Sequence, residues 1–396
     1  MHSSGSLLKG ILLVAGTSIG GGMLALPVFT GLVGFGPSLL VYFLCWVFMA
    51  STGILMLEAC SWMKEDANIV TLADRLLGLP GKVIAWLLYL FLFYCLTVAY
   101  IVGCGHLFVV VFGGNLPEWA GQILFLALFA PLIFLGSRIV SHVNLYLMAG
   151  LAISYLAFVV VGVPNIRIDL LKFHDWSAIP FALPIAFTAF AYQGIVPTLY
   201  NYLGRDTHLT RRAIAIGSFI PLFIYIIWQA LILGIVPPHA AGGLAEALAK
   251  GESAVEPLKN FLQNPYVYVI GQFFAFFALV TSFLGVTLGL FDFLADGLSI
   301  EKNLKGKALL TLLVFGPPLL IAVTHPGIFL FALDFAGGFG CALLLGLLPI
   351  MMVWAGRYYA RLPKKDLLPG GRWALAALAL FVLLELISQF IVIRFY

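Results

Sequence analysis

Apolar residues do not alternate with polar ones along this chain. They run in blocks of about 20 or more, divided by short polar clusters. A helix rises 1.5 Å per residue, so about 20 residues cross a hydrocarbon layer of about 30 Å. Eleven such blocks lie near residues 8–32, 38–61, 83–112, 118–136, 142–163, 179–203, 213–237, 266–291, 308–324, 327–355 and 373–394. A tight turn at His325-Pro326-Gly327 divides the ninth from the tenth. Two connectors are longer than a turn requires. Residues 63–82 contain Ile69–Leu77 and residues 238–265 contain Ala240–Leu262, and both segments are amphipathic enough to predict surface helices.

The polar clusters set the orientation, because cytoplasmic connectors collect Lys and Arg. With the N-terminus inside, the inner connectors hold Lys9, Lys64, Arg75, Lys82, Arg138, Arg205, Arg211, Arg212, Lys302, Lys305, Lys307, Arg357, Arg361, Lys364, Lys365 and Arg372. The outer side receives Arg167, Lys172, Lys250, Lys259 and Arg394. The bias holds from connector to connector and leaves the C-terminus outside. Lys9 precedes an apolar block longer than a signal segment, and no cleavage pattern follows, so the first block reads as a retained helix.

Composition agrees with the pattern. Of the 396 residues 62% are hydrophobic and 10% charged, against about 25% charged in soluble domains. The fold class is therefore an all-α integral membrane protein with eleven transmembrane helices, in contact with the lipid bilayer. The net charge of +4 points to no nucleic-acid partner. Cys45, Cys60, Cys95, Cys104 and Cys341 lie in apolar blocks without metal-ligand spacing and read as small packing residues. No H-E-x-x-H, no G-x-x-x-x-G-K-[ST] and no loop cluster of His and acids appears, so neither an enzyme nor a cofactor is expected.

Two blocks are interrupted. Residues 15–27 read A-G-T-S-I-G-G-G-M-L-A-L-P, and residues 187–197 read F-T-A-F-A-Y-Q-G-I-V-P. Each combines small residues, a hydroxyl, a glycine and a following proline. A helix break inside lipid is tolerated only where it is buried in protein or lines a cavity. Five spans separate the two breaks, and an odd number inverts topology. The halves thus predict inverted repeats, about 8–163 and 179–355, with an extra helix at 373–394, all within one transporter domain. Glycine alone is not diagnostic, since the tenth block carries Gly337-Gly338-Phe339-Gly340.

The motif G-T-S-I-G-G-G-M-L-A-L-P, the following G-F-G-P, and a second helix ending Ile54-Leu-Met-Leu-Glu58 resemble the hydroxy/aromatic amino-acid permeases. These are the bacterial tyrosine- and tryptophan-specific permeases of the amino acid–polyamine–organocation superfamily. The segment F-x-x-F-x-x-Q-G-x-V-P from Phe187 and the segment Thr281 to Asp292 extend the likeness over essentially the whole chain. The resemblance implies a LeuT-like five-plus-five inverted repeat with broken helices 1 and 6. It also implies import of tyrosine first and tryptophan next across the bacterial inner membrane by cation symport. A transporter for serine/threonine or branched-chain amino acids is the alternative.

An amino-acid carboxylate needs donors, and a broken helix presents free N–H groups at a positive dipole end. Gly20, Gly21 and Gly22 would admit it, with Thr17 and Ser18 adding hydroxyls. Carbonyls near Gly16 and from Phe187 to Phe190 would take the ammonium. The resemblance places Phe187, Thr188, Phe190 and Gln193 around the substrate. Ring stacking there is worth about 0.5–1.5 kcal/mol beyond burial. Either Tyr94 or Tyr100 would place a hydroxyl near the carboxylate.

Ionisable residues within spans are functional candidates by default: Glu58, His106, Asp292, Asp334 and Glu385. Related transporters pair an acid of span ten with a base of span one. Here Ala25 and Leu26 occupy that region, so Asp334 is read instead as a proton carrier. Glu385 lies outside the repeats and is expected to be capped or to meet another copy. Thr281 and Ser282, with carbonyls near Gly16 and Ile19, match the sodium site of LeuT-like transporters. Proton coupling is preferred and sodium is the alternative.

Overall fold

The computed structural model describes residues 2–262, 265–363 and 367–394. Lys364 and Lys365 of the basic connectors lie outside the described residues. Among the described residues ten helices are long and apolar enough to cross a membrane, and a bent pair at the start supplies an eleventh span. Span one is His2–Ser18 followed by Gly21–Thr30, with the two axes bent by 52°. Spans two to five are Phe35–Ser61, Ile69–Val111, Glu118–Leu135 and Ser137–Gly162. Span six is Ile179–Ala189 and Val196–Tyr202, joined through a turn at Gln193–Ile195. Spans seven to nine are Thr207–Ile235, Pro265–Gly297 and Leu304–Thr324. Span ten is Phe329–Tyr359 and span eleven is Gly371–Ile393.

Three odd-numbered spans start with a side-chain cap. The Asn68, Asp206 and Asn303 oxygens accept from the N–H groups of Thr71, Leu209 and Gly306. Each satisfies a donor that the first helical turn leaves open. The segment Ile69–Leu77 is helical as expected. It runs on into span three through a kink at Gly78, where φ is 74°. The connector between spans seven and eight forms two short helices, Leu244–Lys250 and Leu258–Phe261. It lies over span one, with the Ala254 N–H donating to the Leu24 carbonyl at 3.0 Å.

Hydrogen bonds tie spans one, two, six and seven into a bundle. Tyr42 Oη donates to Gln229 Oε1 at 2.7 Å, and Gln229 Nε2 donates to Thr30 Oγ1 at 2.7 Å. Trp228 Nε1 donates to the Met23 carbonyl at 2.8 Å. Tyr192 Oη and Gln193 Nε2 both donate to the Met49 carbonyl at 3.1 Å. Tyr42, Tyr192, Tyr225 and Trp228 are among the largest fully buried side chains. Each presents an apolar body with one polar atom that finds its partner, as buried Tyr and Trp usually do.

Span ten departs from α geometry soon after Asp334. Residues Ala336–Leu347 form a π-helix. Gly338 faces span eleven there, and an added Cβ would collide with the Gln389 side-chain oxygen. The glycines of this block thus serve close approach between spans.

One buried ion pair joins spans two and ten. Arg357 Nε and an Arg357 terminal nitrogen donate to the two Glu58 carboxylate oxygens at 2.7 and 2.5 Å. Their side chains are 1% and 0% exposed. Removing one member of such a pair leaves a buried charge uncompensated, at a cost of about 3–5 kcal/mol, whereas replacing both is often close to neutral. Glu58→Leu is therefore expected to lower the thermal midpoint of the detergent-solubilised protein clearly, and Glu58→Leu with Arg357→Leu to recover most of the loss. Thermal unfolding of the three proteins reads the difference.

Candidate functional site

The first helix of span one stops at Ser18 because the chain turns out of helical geometry at Ile19 and Gly20. The Ile19 N–H closes on the Ala15 carbonyl at 3.0 Å, and Gly20 is extended. The next helix starts at Gly21, whose N–H donates to Ser282 Oγ on span eight at 3.1 Å. A Cβ at Gly21 would stand 2.5 Å from a Tyr100 ring carbon and 3.0 Å from Leu279. Only glycine fits where the new helix N-terminus meets span three.

Span six opens in the same layer. The Phe190 N–H still reaches the Ala186 carbonyl, and the Ile195 N–H closes a turn on the Tyr192 carbonyl. One hydroxyl braces both breaks. Tyr225 Oη on span seven lies 2.6 Å from the Ser18 carbonyl and 2.8 Å from the Ala189 carbonyl. It has a single hydrogen to share between these two acceptors.

A cavity of about 540 Å³ meets the breaks. It reaches from Gly20, Gly21, Gly22, Tyr100 and Ser282 past Leu12, Tyr89, Thr198 and Gly289, toward the span ends that carry the basic connectors. No Asp, Glu, Lys, Arg or His is among its described lining residues. Its polar atoms come from hydroxyls, backbone and Asn144, whose Oδ1 has no hydrogen-bond partner among the described residues. Its aromatic wall is Tyr89, Phe93, Tyr100 and Tyr192. Tyr89 stacks on Phe93 with ring centroids 4.1 Å apart. The volume lies in the range of small-molecule pockets, about 300–1,000 Å³.

The structure brings Gly16, Thr17, Ser18, Gly20, Gly21, Gly22, Thr188, Tyr100, Thr281 and Ser282 to this cavity. It does not bring Phe187, Phe190, Gln193, Tyr94, Ile19 or Asp334 there. Phe187 is buried against Phe48 and Phe381, with centroids 5.0 and 5.9 Å away. Phe190 meets Tyr225 and Tyr42 edge-on, at 5.0 and 6.0 Å. The Gln193 amide donates to the Met49 carbonyl and to Thr52 Oγ1, and accepts from the Tyr192 N–H. A buried amide so satisfied has no reason to turn to a solute. Tyr94 donates to the Leu313 carbonyl at 2.9 Å. Thr281 donates back to the Phe277 carbonyl at 2.8 Å, which leaves its oxygen lone pairs for a cation. Tyr89, Phe93, Tyr192 and Asn144 are lining residues that sequence reasoning did not select. The helical spacing of Tyr89, Phe93, Leu96 and Tyr100 was the available signal.

A second cavity of about 270 Å³ lies on the far side of this layer. Leu279 and Phe329 line it, and Leu279 is also the residue that crowds Gly21. His106, Glu118, Lys250, Glu252 and Glu256 make it highly charged. His106 Nδ1 lies 3.0 Å from Glu118 Oε1, and its Nε2 lies 3.7 Å from Glu256 Oε1. Asp292 pairs instead with Lys302 at an exposed span end.

Comparison with known proteins accounts for this arrangement. The family model described as the tryptophan/tyrosine permease family matches residues 3–388. The tryptophan-specific transport protein of Haemophilus influenzae is 30% identical over 405 residues, covering 98% of this chain and 96% of that protein. Tyrosine-specific transport system 1 of the same organism is 33% identical over 358 residues, covering 89% of each chain. The crystal structure of MhsT in complex with L-phenylalanine superposes with a TM-score of 0.68 at 16% identity. It covers 97% of this chain and 98% of that one. The fold is accordingly LeuT-like, the protein is a multi-pass membrane transporter rather than an enzyme, and the chain belongs to the tryptophan/tyrosine permease family.

Proposed function

We propose that this protein imports aromatic amino acids, tyrosine first and tryptophan next, across the bacterial inner membrane by proton symport. The observation that carries this reading is an uncharged, aromatic-walled cavity that ends on the helix N-terminus at Gly21. A zwitterion needs no net counter-charge there. Its carboxylate is matched by the N–H groups of Gly20 and Gly22 and the Ser18 hydroxyl, at the helix end where Ser282 takes the Gly21 N–H and Thr17 donates to the Leu13 carbonyl, and its ammonium by carbonyls of the two breaks. Thr188 stands beside them. The aromatic ring lies along Tyr89, Phe93 and Tyr100. The names of the relatives support the substrate class.

The N-terminus is placed in the cytoplasm and the C-terminus in the periplasm, so the larger cavity opens inward. The repeats span about 8–163 and 179–355. Alternating access then consists of the bundle of spans one, two, six and seven moving against the rest around the fixed breaks. Sodium is the second reading for the coupling ion, since Thr281 and Ser282 line the cavity beside Gly16 and Gly20.

Uptake of labelled tyrosine, competed by each amino acid in sodium and sodium-free buffer at two pH values, tests substrate and ion together. Tyrosine, tryptophan and phenylalanine are expected to compete, without a sodium requirement and with faster uptake at the lower external pH. Competition by serine or valine at similar concentrations contradicts the aromatic reading. Gly21→Leu is expected to reduce uptake to background while the protein still reaches the membrane. Normal uptake by that variant removes Gly21 from the site.

A further inference from the structure

A cavity lined by no acid cannot itself store a transported proton. The chain has four fully buried carboxyl groups among its described residues: Glu58, Glu256, Asp334 and Glu385. Glu58 meets Arg357. Glu256 meets Lys259 at 3.4 Å and His106 at 3.7 Å. Asp334 and Glu385 have no cation within ion-pair distance among the described residues. Both are 0% exposed, Asp334 in the second turn of span ten and Glu385 within the interior of span eleven.

The atoms between them lack hydrogens rather than acceptors. Gln389 Nε2 donates to Asp334 Oδ2 at 2.8 Å. Asp334 Oδ1, both Glu385 carboxyl oxygens and Gln389 Oε1 have no partner among the described residues. Glu385 and Gln389 are four residues apart and share one face of span eleven. Gly338 makes room for the Gln389 amide on the span-ten side. Two carboxylates without a counter-ion cannot both stay ionised in an apolar interior, and a protonated carboxyl becomes a donor. A proton on either carboxyl removes one of the two uncompensated charges.

We propose that Asp334, hydrogen-bonded to Gln389, and Glu385, one turn before Gln389 on the same helix, form the proton-binding site that drives transport, with span eleven as a working part of the machine. This rests on the proton reading above. The proton binds one carboxylate to give the neutral acid in one conformation and leaves it in the other. The titratable groups near Glu385 are Cys45 of span two and Cys341 of span ten, with Cys95 of span three near Cys341. The packed half of span six, Ile179–Ala189, contributes none. A route to the substrate is short. Thr188 Oγ1, in the cavity wall, donates to the carbonyl of Leu333 at 2.7 Å, one residue before Asp334. The π-helix begins two residues after Asp334, and such wide turns frequently mark functional sites. A charge change at Asp334 therefore acts on the contact that fastens broken span six to span ten.

The test uses the full chain in liposomes with labelled tyrosine and two readouts. One is accumulation against a gradient driven by pH, and the other is tyrosine exchange at equal pH. Glu385→Gln and Asp334→Asn are each expected to cut accumulation about tenfold or more and flatten its pH profile, while exchange stays within about twofold. Glu385→Asp is expected to restore part of the accumulation. Size-exclusion elution and thermal midpoints establish that each variant is folded, and if Glu385→Gln is not, Asp334→Asn decides. Accumulation with the wild-type pH profile in either variant, or equal loss of both readouts in folded protein, overturns the proposal. Wild-type protein that accumulates tyrosine on a sodium gradient alone overturns the proton reading itself, a result separable from the variants' behaviour.

Discussion

Backbone groups released inside an apolar layer must find partners within the protein. Here the two interrupted helices are held by one phenol. Tyr225 stands between them, its hydroxyl 2.6 Å from the Ser18 carbonyl and 2.8 Å from the Ala189 carbonyl. Ser282 takes the N–H of Gly21 on the other side. These contacts let spans one and six stay open without exposing peptide groups to lipid. They also leave a helix N-terminus facing a cavity. Most of the remaining architecture follows: Trp228 and Gln229 lock span seven to spans one and two.

The absence of charged side chains from the larger cavity divides the work. In the proposed reading, recognition of a zwitterion falls to backbone dipoles and hydroxyls, which can bind a neutral solute and release it without breaking an ion pair. Ionisable groups are placed elsewhere, each in a different setting. Glu58 and Arg357 neutralise one another at a span end, while the His106 and Glu256 cluster lines the opposite cavity. Asp334 and Glu385 share an apolar interior without a cation. The same low dielectric that makes an unpaired carboxyl costly is what the proposed proton site would use.

The spans and both breaks were readable from the sequence, because length of apolar run and clustered glycine and proline act locally. The cavity walls were less so. Phe187 and Phe190 adjoin the break, yet adjacency in sequence does not say which way a ring points. Both rings pack into neighbouring spans. The resemblance placed Gln193 around the substrate, and Met49 and Thr52 on span two hold its amide. Tyr89 and Phe93 lie on a helix with apolar residues on every side, so their stripe does not stand out in a chain with 34 phenylalanines. Glu385 was expected to be capped or to meet another copy. The structure buries it uncapped among the described residues, against a span that no local pattern could have paired with it. The glycines of span ten appeared uninformative. They permit that contact.

The central claim is that the helix N-terminus at Gly21 holds the substrate carboxylate. The most direct measurement is the affinity of the purified protein for tyrosine against that for tyramine, which lacks only the carboxylate. Hydrogen bonds to charged groups are worth about 1.5–3 kcal/mol each, and about 1.4 kcal/mol is tenfold in affinity. The account predicts that tyramine binds at least about tenfold more weakly. Equal affinity for the two would contradict it.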